Sequence, residues 1–377
     1  MCLSCGDGVR LIPLLWMLTM PMYGSFLGPE PVLRLSIMLM IHAGVGAALP
    51  LGLAFVAPYL QVGALALILS LPVNLLPYAL VWLYDKLLLV SEPALLLVEA
   101  AQVVRLAMAG SELALGEIEE RPVLIKSLIL GVTAVSYVIS AAIAVVLYSH
   151  GSSALNWLML VLLLAAVGLA ALTYIVDEGV ISNSGLVTMA AFVMLWLMDQ
   201  ELTLAANPRT APAEWAGAPW EDLSYIQVLL SLAGSTMVHV HSALHFIRKL
   251  FSPAFLLLVV LRIATVLHVV SALSRGSEEK DESWSSHEEE EEAGRSLISA
   301  WTSPLAVKLS IILVYTQLVV HSIQMGSTGS HTAVGGAMEG SDTSVWQGLG
   351  LMRVLQIVAL GGMYLYRLCS TEDDPVF

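Results

Sequence analysis

The sequence predicts an all-α fold, a polytopic transmembrane helix bundle of about ten spans with one amphipathic interfacial helix. Three observations predict it. Of 377 residues, 58% are hydrophobic and 12% charged, against about 25% charged in a soluble domain. The mean hydropathy is +0.82. The apolar residues also fall in repeated runs of about 20, the length of helix that crosses the hydrocarbon core of a bilayer. A formal net charge of −14 looks like an acidic surface, but Asp and Glu cluster in 277–292 and a few short loops. With no Lys/Arg stripe to neutralise phosphates, nucleic acid is excluded as a partner. The expected partners are the lipid bilayer and other membrane proteins.

The first span is expected over 11–28, a retained segment rather than a cleaved signal, since Pro13 and Pro21 interrupt it and no small-residue cleavage site follows. Spans two and three, 35–59 and 62–84, carry Pro50, Pro58, Pro72 and Pro77. These prolines should break the helices, with Asn74 between two breaks, and interrupted helices inside a membrane line cavities or pack in protein. Gly44, Ala48 and Gly52 form a small-x-x-x-small seam suited to close packing. Residues 1–84 therefore read as an N-terminal three-span unit.

The segment 85–126 reads as amphipathic and cytoplasmic. Over 91–117, Ser91 should cap a helix with Pro93 in its first turn. Glu92, Glu99, Gln102, Arg105 and Glu112 fall on one half of that helix at about 100° per residue. A helix lying on the bilayer or over the bundle is expected, because each ionised group at mid-depth costs about 2.5–3.5 kcal/mol. Lys86, Arg105, Arg121 and Lys126 make this the most basic stretch outside the acidic loop, which sets its cytoplasmic side. Counting on from there puts 199–223 and 275–303 outside.

Five spans follow in 127–274, at 127–148, 154–176, 179–198, 224–247 and 253–274. The loop 199–223 holds Trp215 and Trp220, suited to an aromatic belt. Ser252-Pro253 and Ser303-Pro304 each place a capping hydroxyl before a proline, so helices should begin there. The acidic tract within 275–303 is self-repelling and should be disordered. Its Ser285 and Ser286, each three residues before a glutamate, resemble acidophilic-kinase phosphorylation sites. Residues 304–377 supply two last spans, 306–325 and 348–368, joined by a Gly/Ser/Thr-rich connection at 326–346 and followed by a short tail.

Polar chemistry is confined to a few positions. In S-T-M-V-H-V-H-S-A-L-H-F-I-R-K (235–249), His241 and His245 are four residues apart and share a helix face, as a weak metal pair would, while His239 points away. Their depth should match that of His321 and Arg353, making His241, His245, His321 and Arg353 the set that could converge; His268 lies towards the opposite surface. No carboxylate is expected there, and Asp199 and Glu201 read as markers of a span end. Arg262, midway along span eight, requires a partner inside the bundle or a water path. Cys2, Cys5 and Cys369, near the termini, are candidate lipidation sites. No nucleophile-base arrangement, phosphate loop or nucleotide fingerprint is present, and no cofactor is expected. The reading that follows is a non-enzymatic multi-pass protein of a eukaryotic endomembrane, endoplasmic reticulum or Golgi, or of the plasma membrane, acting as an assembly or regulatory partner. Its rivals are a transporter or channel using the broken spans, Asn74 and Arg262, and a membrane metalloenzyme using the histidines.

Overall fold

The computed structural model describes residues 16–48, 57–118, 121–150, 153–175, 181–206, 224–238, 248, 251–283, 303–332 and 349–369. These are almost entirely helical and contain no strand, only an isolated bridge between Pro72 and Ser224. In chain order the helices are α1 Met20–Leu27, α2 Pro29–Ala48, α3 Ala57–Ser70, α4 Tyr78–Gly116, α5 Pro122–His150, α6 Ser153–Ile175, α7 Ile181–Ala206, α8 Tyr225–Val238, α9 Pro253–Ser283, α10 Pro304–Thr332 and α11 Leu349–Cys369. Among the described residues eight helices are long and apolar enough to cross a membrane: α2, α4, α5, α6, α7, α9, α10 and α11. The chain is an integral membrane protein with eight described candidate spans, against about ten expected. The expected spans 11–28, 62–84 and 224–247 are not among the eight, since the helices described there are the short Met20–Leu27, Ala57–Ser70 and Tyr225–Val238, while α4 adds a candidate span that was not counted.

Prolines and serines set the boundaries much as expected. Pro72 and Pro77 bracket a single 3-10 turn, Val73–Leu75, that separates α3 from α4. Pro58 is the second residue of α3, where a missing N–H costs nothing, so it starts a helix instead of breaking one. The Ser252 and Ser303 hydroxyls accept from the Phe255 and Ala306 backbone N–H groups at 3.4 and 3.2 Å, capping α9 and α10. At Gly28 the backbone adopts φ +85, a left-handed conformation open to glycine, and the chain turns there from α1 into α2. Two expectations of disorder or looseness need correction. Helix α9 runs on through 275–283 and α10 through 326–332, since adding residues to a nucleated helix is far cheaper than starting one; the remainder of both connections lies outside the described residues. Among the described residues nothing lies within 4 Å of a Cβ at Gly44, and Gly52 of the expected small-residue seam lies outside them.

The chain divides into two compact units, Met1–Val90 with Asn207–Gly329, and Ser91–Ala206 with Ser330–Phe377. In the first, α1 lies so near α10 that a Cβ on Gly24 would collide with the Ile323 side chain. The Tyr23 hydroxyl donates to the Tyr225 carbonyl at 2.9 Å and the Tyr225 hydroxyl to the Pro31 carbonyl at 3.0 Å, their rings edge to face. The Ser36 hydroxyl lies 2.9 Å from the Tyr84 hydroxyl and 2.7 Å from that of Thr316.

In the second unit α7 is the centre, with α5, α6 and α11 packed around it. Most of the α7 span is buried, whereas most of α5 and α6 is not. Their outward residues are large and apolar, such as Val123, Leu130, Val138, Leu164 and Val167. That exposure has no place in water, and it is what hydrocarbon solvates without cost. The part of α4 in this unit, expected as an interfacial helix, belongs to a helix long and apolar enough to cross a membrane. Helix α4 passes straight through Ser91 and Pro93, without a cap at Ser91. Its Ala100, Val104 and Ala107 pack on Val187, Ala191 and Met194 of α7 and Leu360 and Tyr364 of α11. Glu99 and Gln102 turn inward, while Leu97, Leu106 and Leu113 face out. With 26 residues from 91 to 116 rising about 39 Å, Lys86 and Arg121 lie at opposite ends of a membrane-length helix.

Candidate functional site

Helix directions in the second unit follow from its polar contacts. The Asn183 amide, at the start of α7, donates to the Ser111 hydroxyl near the end of α4 at 2.9 Å. Near the other end of α7, Glu201 meets Arg353 in the second turn of α11, and Gln356 of α11 meets Glu99 of α4. Helices α4 and α11 therefore run together and α7 runs against them. Between the two polar levels, about 18 Å apart along α4, lies the apolar layer of Ala100, Val104, Val187, Ala191 and Leu360.

The Glu99 level holds the most concentrated charge among the described residues of this unit. The Arg353 guanidinium grips the Glu201 carboxylate with two donors, Nη2 to Oε1 at 2.5 Å and Nε to Oε2 at 3.2 Å. Its Nη1 donates to Gln356 Oε1 at 2.8 Å, and the Gln356 amide donates to Glu99 Oε2 at 3.0 Å. All four residues are at most 8% exposed, and Glu99 and Gln356 only 1%. One turn beyond Glu99, the buried Gln102 Oε1 has no hydrogen-bond partner. A bidentate arginine–carboxylate contact is the geometry that best offsets the desolvation of both ions. Three helices are thereby tied at one level through one guanidinium and two carboxylates, with Gln356 as the bridge. Glu92 and Arg105 on α4 and Asp199 on α7 are less buried. Such an arrangement can hold or release a proton and can rearrange when one carboxylate is neutralised.

Several of the expected site residues lie outside the described residues. His241, His245, Cys2, Cys5, Ser285 and Ser286 lie outside the described residues, as do Trp215 and Trp220. Arg353 stands in the second turn of α11, and its partner is Glu201, which reads in the sequence as the marker of a span end and is buried against it. His321 is half-buried on α10. Among the described residues no group of three or more His, Cys, Asp or Glu gathers as metal ligands would. Arg262 is buried and donates from Nη1 to Gln317 Oε1 at 3.0 Å, a partner inside the bundle. Asn74 stands in the 3-10 break, where its Oδ1 accepts from Arg34 Nη1 at 2.9 Å. The same Arg34 also donates to the Val73 carbonyl at 3.2 Å and pairs with Glu30. Cys369 is exposed at the last residue of α11.

Sequence reasoning passed over Glu99, Glu201 and Gln356 as site residues, although two signals were present. Glu99 with Gln102, and Arg353 with Gln356, are i,i+3 pairs that share a helix face in otherwise apolar runs. Glu201 ends one span as Arg353 begins another, so antiparallel helices bring them level. The chain matches no protein-family model, no curated protein and no solved structure.

Proposed function

We propose that this protein is a non-enzymatic, proton-coupled membrane carrier. Its coupling centre is Glu99, Gln356, Arg353 and Glu201. The observation that supports this reading is one guanidinium set between two carboxylates, all buried, on three helices of a lipid-facing bundle. Ionisable groups inside membrane bundles are costly, and they mark ion paths and proton relays. A proton on Glu99 would weaken its acceptance from Gln356. A neutral Glu99 would also withdraw one of the carboxylates that face Arg353, which loosens α4 from α11 at that level. The broken helix at 71–77, with Asn74 and Val73 held by Arg34, is the kind of interruption that carriers use. We place the protein in an endoplasmic reticulum, Golgi or plasma membrane of a eukaryotic cell, on the kinase-like sequence around Ser285 and Ser286.

The test uses full-length protein reconstituted in liposomes on a solid-supported membrane, with charge displacement recorded after a pH step. Wild-type protein should give a transient current above that of empty liposomes, and Glu99→Gln should abolish it while eluting as a folded monodisperse species. No wild-type current at any step between acid and neutral pH would remove the carrier reading. The network would then be a register lock in an assembly or regulatory partner.

A further inference from the structure

A second site lies in the first unit, where the end of α2, the start of α3 and the start of α10 enclose a cavity of about 430 Å³. That volume is within the roughly 300–1,000 Å³ of small-molecule sites. We propose that it binds an amphiphile consisting of one acyl chain with an anionic head group.

The floor of the cavity is apolar. Met17, Leu39 and Ile312 line it and are otherwise buried, so a hydrocarbon tail would lose no hydrogen bond there. Polar groups gather on the α3 and α10 side. Lys308, in the second turn of α10, lines the cavity and is exposed. His42 is buried, and its Nε2 lies 2.8 Å from the Gln61 carbonyl oxygen. A carbonyl can only accept, so Nε2 carries the proton in this contact. Gly46 gives the Gln61 side chain room, since a Cβ there would press on Gln61 Nε2 at 3.0 Å. The elements reach the cavity by their ends, α10 by residues 304–312 and α3 by Gln61. The cavity mouth thus lies at span-end depth, where lipid head groups reside and a lysine can meet one without leaving water. A cation beside an apolar floor at this depth selects for a negative head and a chain in the same molecule. A wholly apolar ligand would leave Lys308 nothing to bind, and a small inorganic anion would leave the floor empty. The site stands whether or not the protein is a carrier.

Photolabelling of the purified full-length chain with a diazirine-bearing palmitate tests this, read by peptide mapping. Label should concentrate in 39–47 and 303–312. Unlabelled palmitate and lysophosphatidate should compete, the stronger of the two telling a carboxylate from a phosphate head, and hexadecanol should compete poorly. Lys308→Gln should weaken labelling by about five- to tenfold, the loss of one charge-assisted contact, and Lys308→Arg should restore it. Ala43→Phe, which fills the cavity, should block it with thermal unfolding unchanged within a few degrees. Equal competition by hexadecanol, labelling indifferent to Lys308→Gln, or label spread evenly over α5 and α6 would each overturn the assignment.

Discussion

Of the three arginines buried among the described residues, Arg353 in the second unit and Arg262 in the first are accommodated in different ways. Arg353 stands in the second turn of α11 and is gripped bidentately by the Glu201 carboxylate. Arg262 stands nine residues into α9, about 14 Å along the helix, and donates to the neutral amide of Gln317. The contrast follows from what a partner costs at each depth. A carboxylate brought to mid-span must itself be desolvated, at several kcal/mol beyond the arginine's own penalty. An amide oxygen brings a dipole without that second charge. Near a span end the desolvation of both ions is smaller, so a full ion pair is sustainable and binds its helices more tightly. The ion pair at Arg353 thus stands near a helix end, and the amide contact at Arg262 lies deeper along its helix.

The strongest test of that contrast is Glu201→Leu. It should destabilise the protein by about 3–5 kcal/mol, because Arg353 is left buried without its carboxylate. Arg353→Leu combined with Glu201→Leu should recover most of the loss, as measured by unfolding in mixed micelles. Were the double variant no better than the single, Glu201 and Arg353 would not be acting as a pair. Next in size is Gln317→Leu, expected to cost about 1.5–3 kcal/mol as the loss of a hydrogen bond to a charged group. A loss as large as that of Glu201→Leu would mean that the amide does more at Arg262 than a dipole should.

How much of this was legible beforehand depended on whether the signal was local. The starts of α9 and α10 were written in Ser252-Pro253 and Ser303-Pro304, and the break before α4 in Pro72 and Pro77, because proline geometry and serine capping act within a turn. The segment 91–117 was legible as a helix with one polar half but not in its orientation. A helical wheel separates two faces without saying which meets solvent, and in lipid the usual assignment inverts, so Glu99 and Gln102 point inward. Glu201 was misjudged for a related reason. A charge at a span end is ordinarily wet, and only the third dimension reveals that α11 covers it. Arg34, from α2, holds the Val73 carbonyl and the Asn74 side chain across some 40 residues of chain, a pairing no spacing rule encodes.

The smallest expected effect is the sharpest on the cost of polarity itself. Thr316 is fully buried, and its hydroxyl lies 2.7 Å from both the Ser36 hydroxyl and the Ile312 carbonyl of its own helix. All of these groups are neutral, and Ser36 retains Tyr84 at 2.9 Å when Thr316 is changed. Thr316→Val keeps the shape and removes the oxygen, so the loss should be about 0.6 kcal/mol, the average for an interhelical hydrogen bond in a membrane bundle. Measured beside Glu201→Leu in the same micelles, it asks whether the described core depends on its charges or on polar contacts in general. A cost for Thr316→Val approaching that of Gln317→Leu would assign the stability to the neutral network as well, and the distinction drawn between Arg353 and Arg262 would then lose its energetic basis.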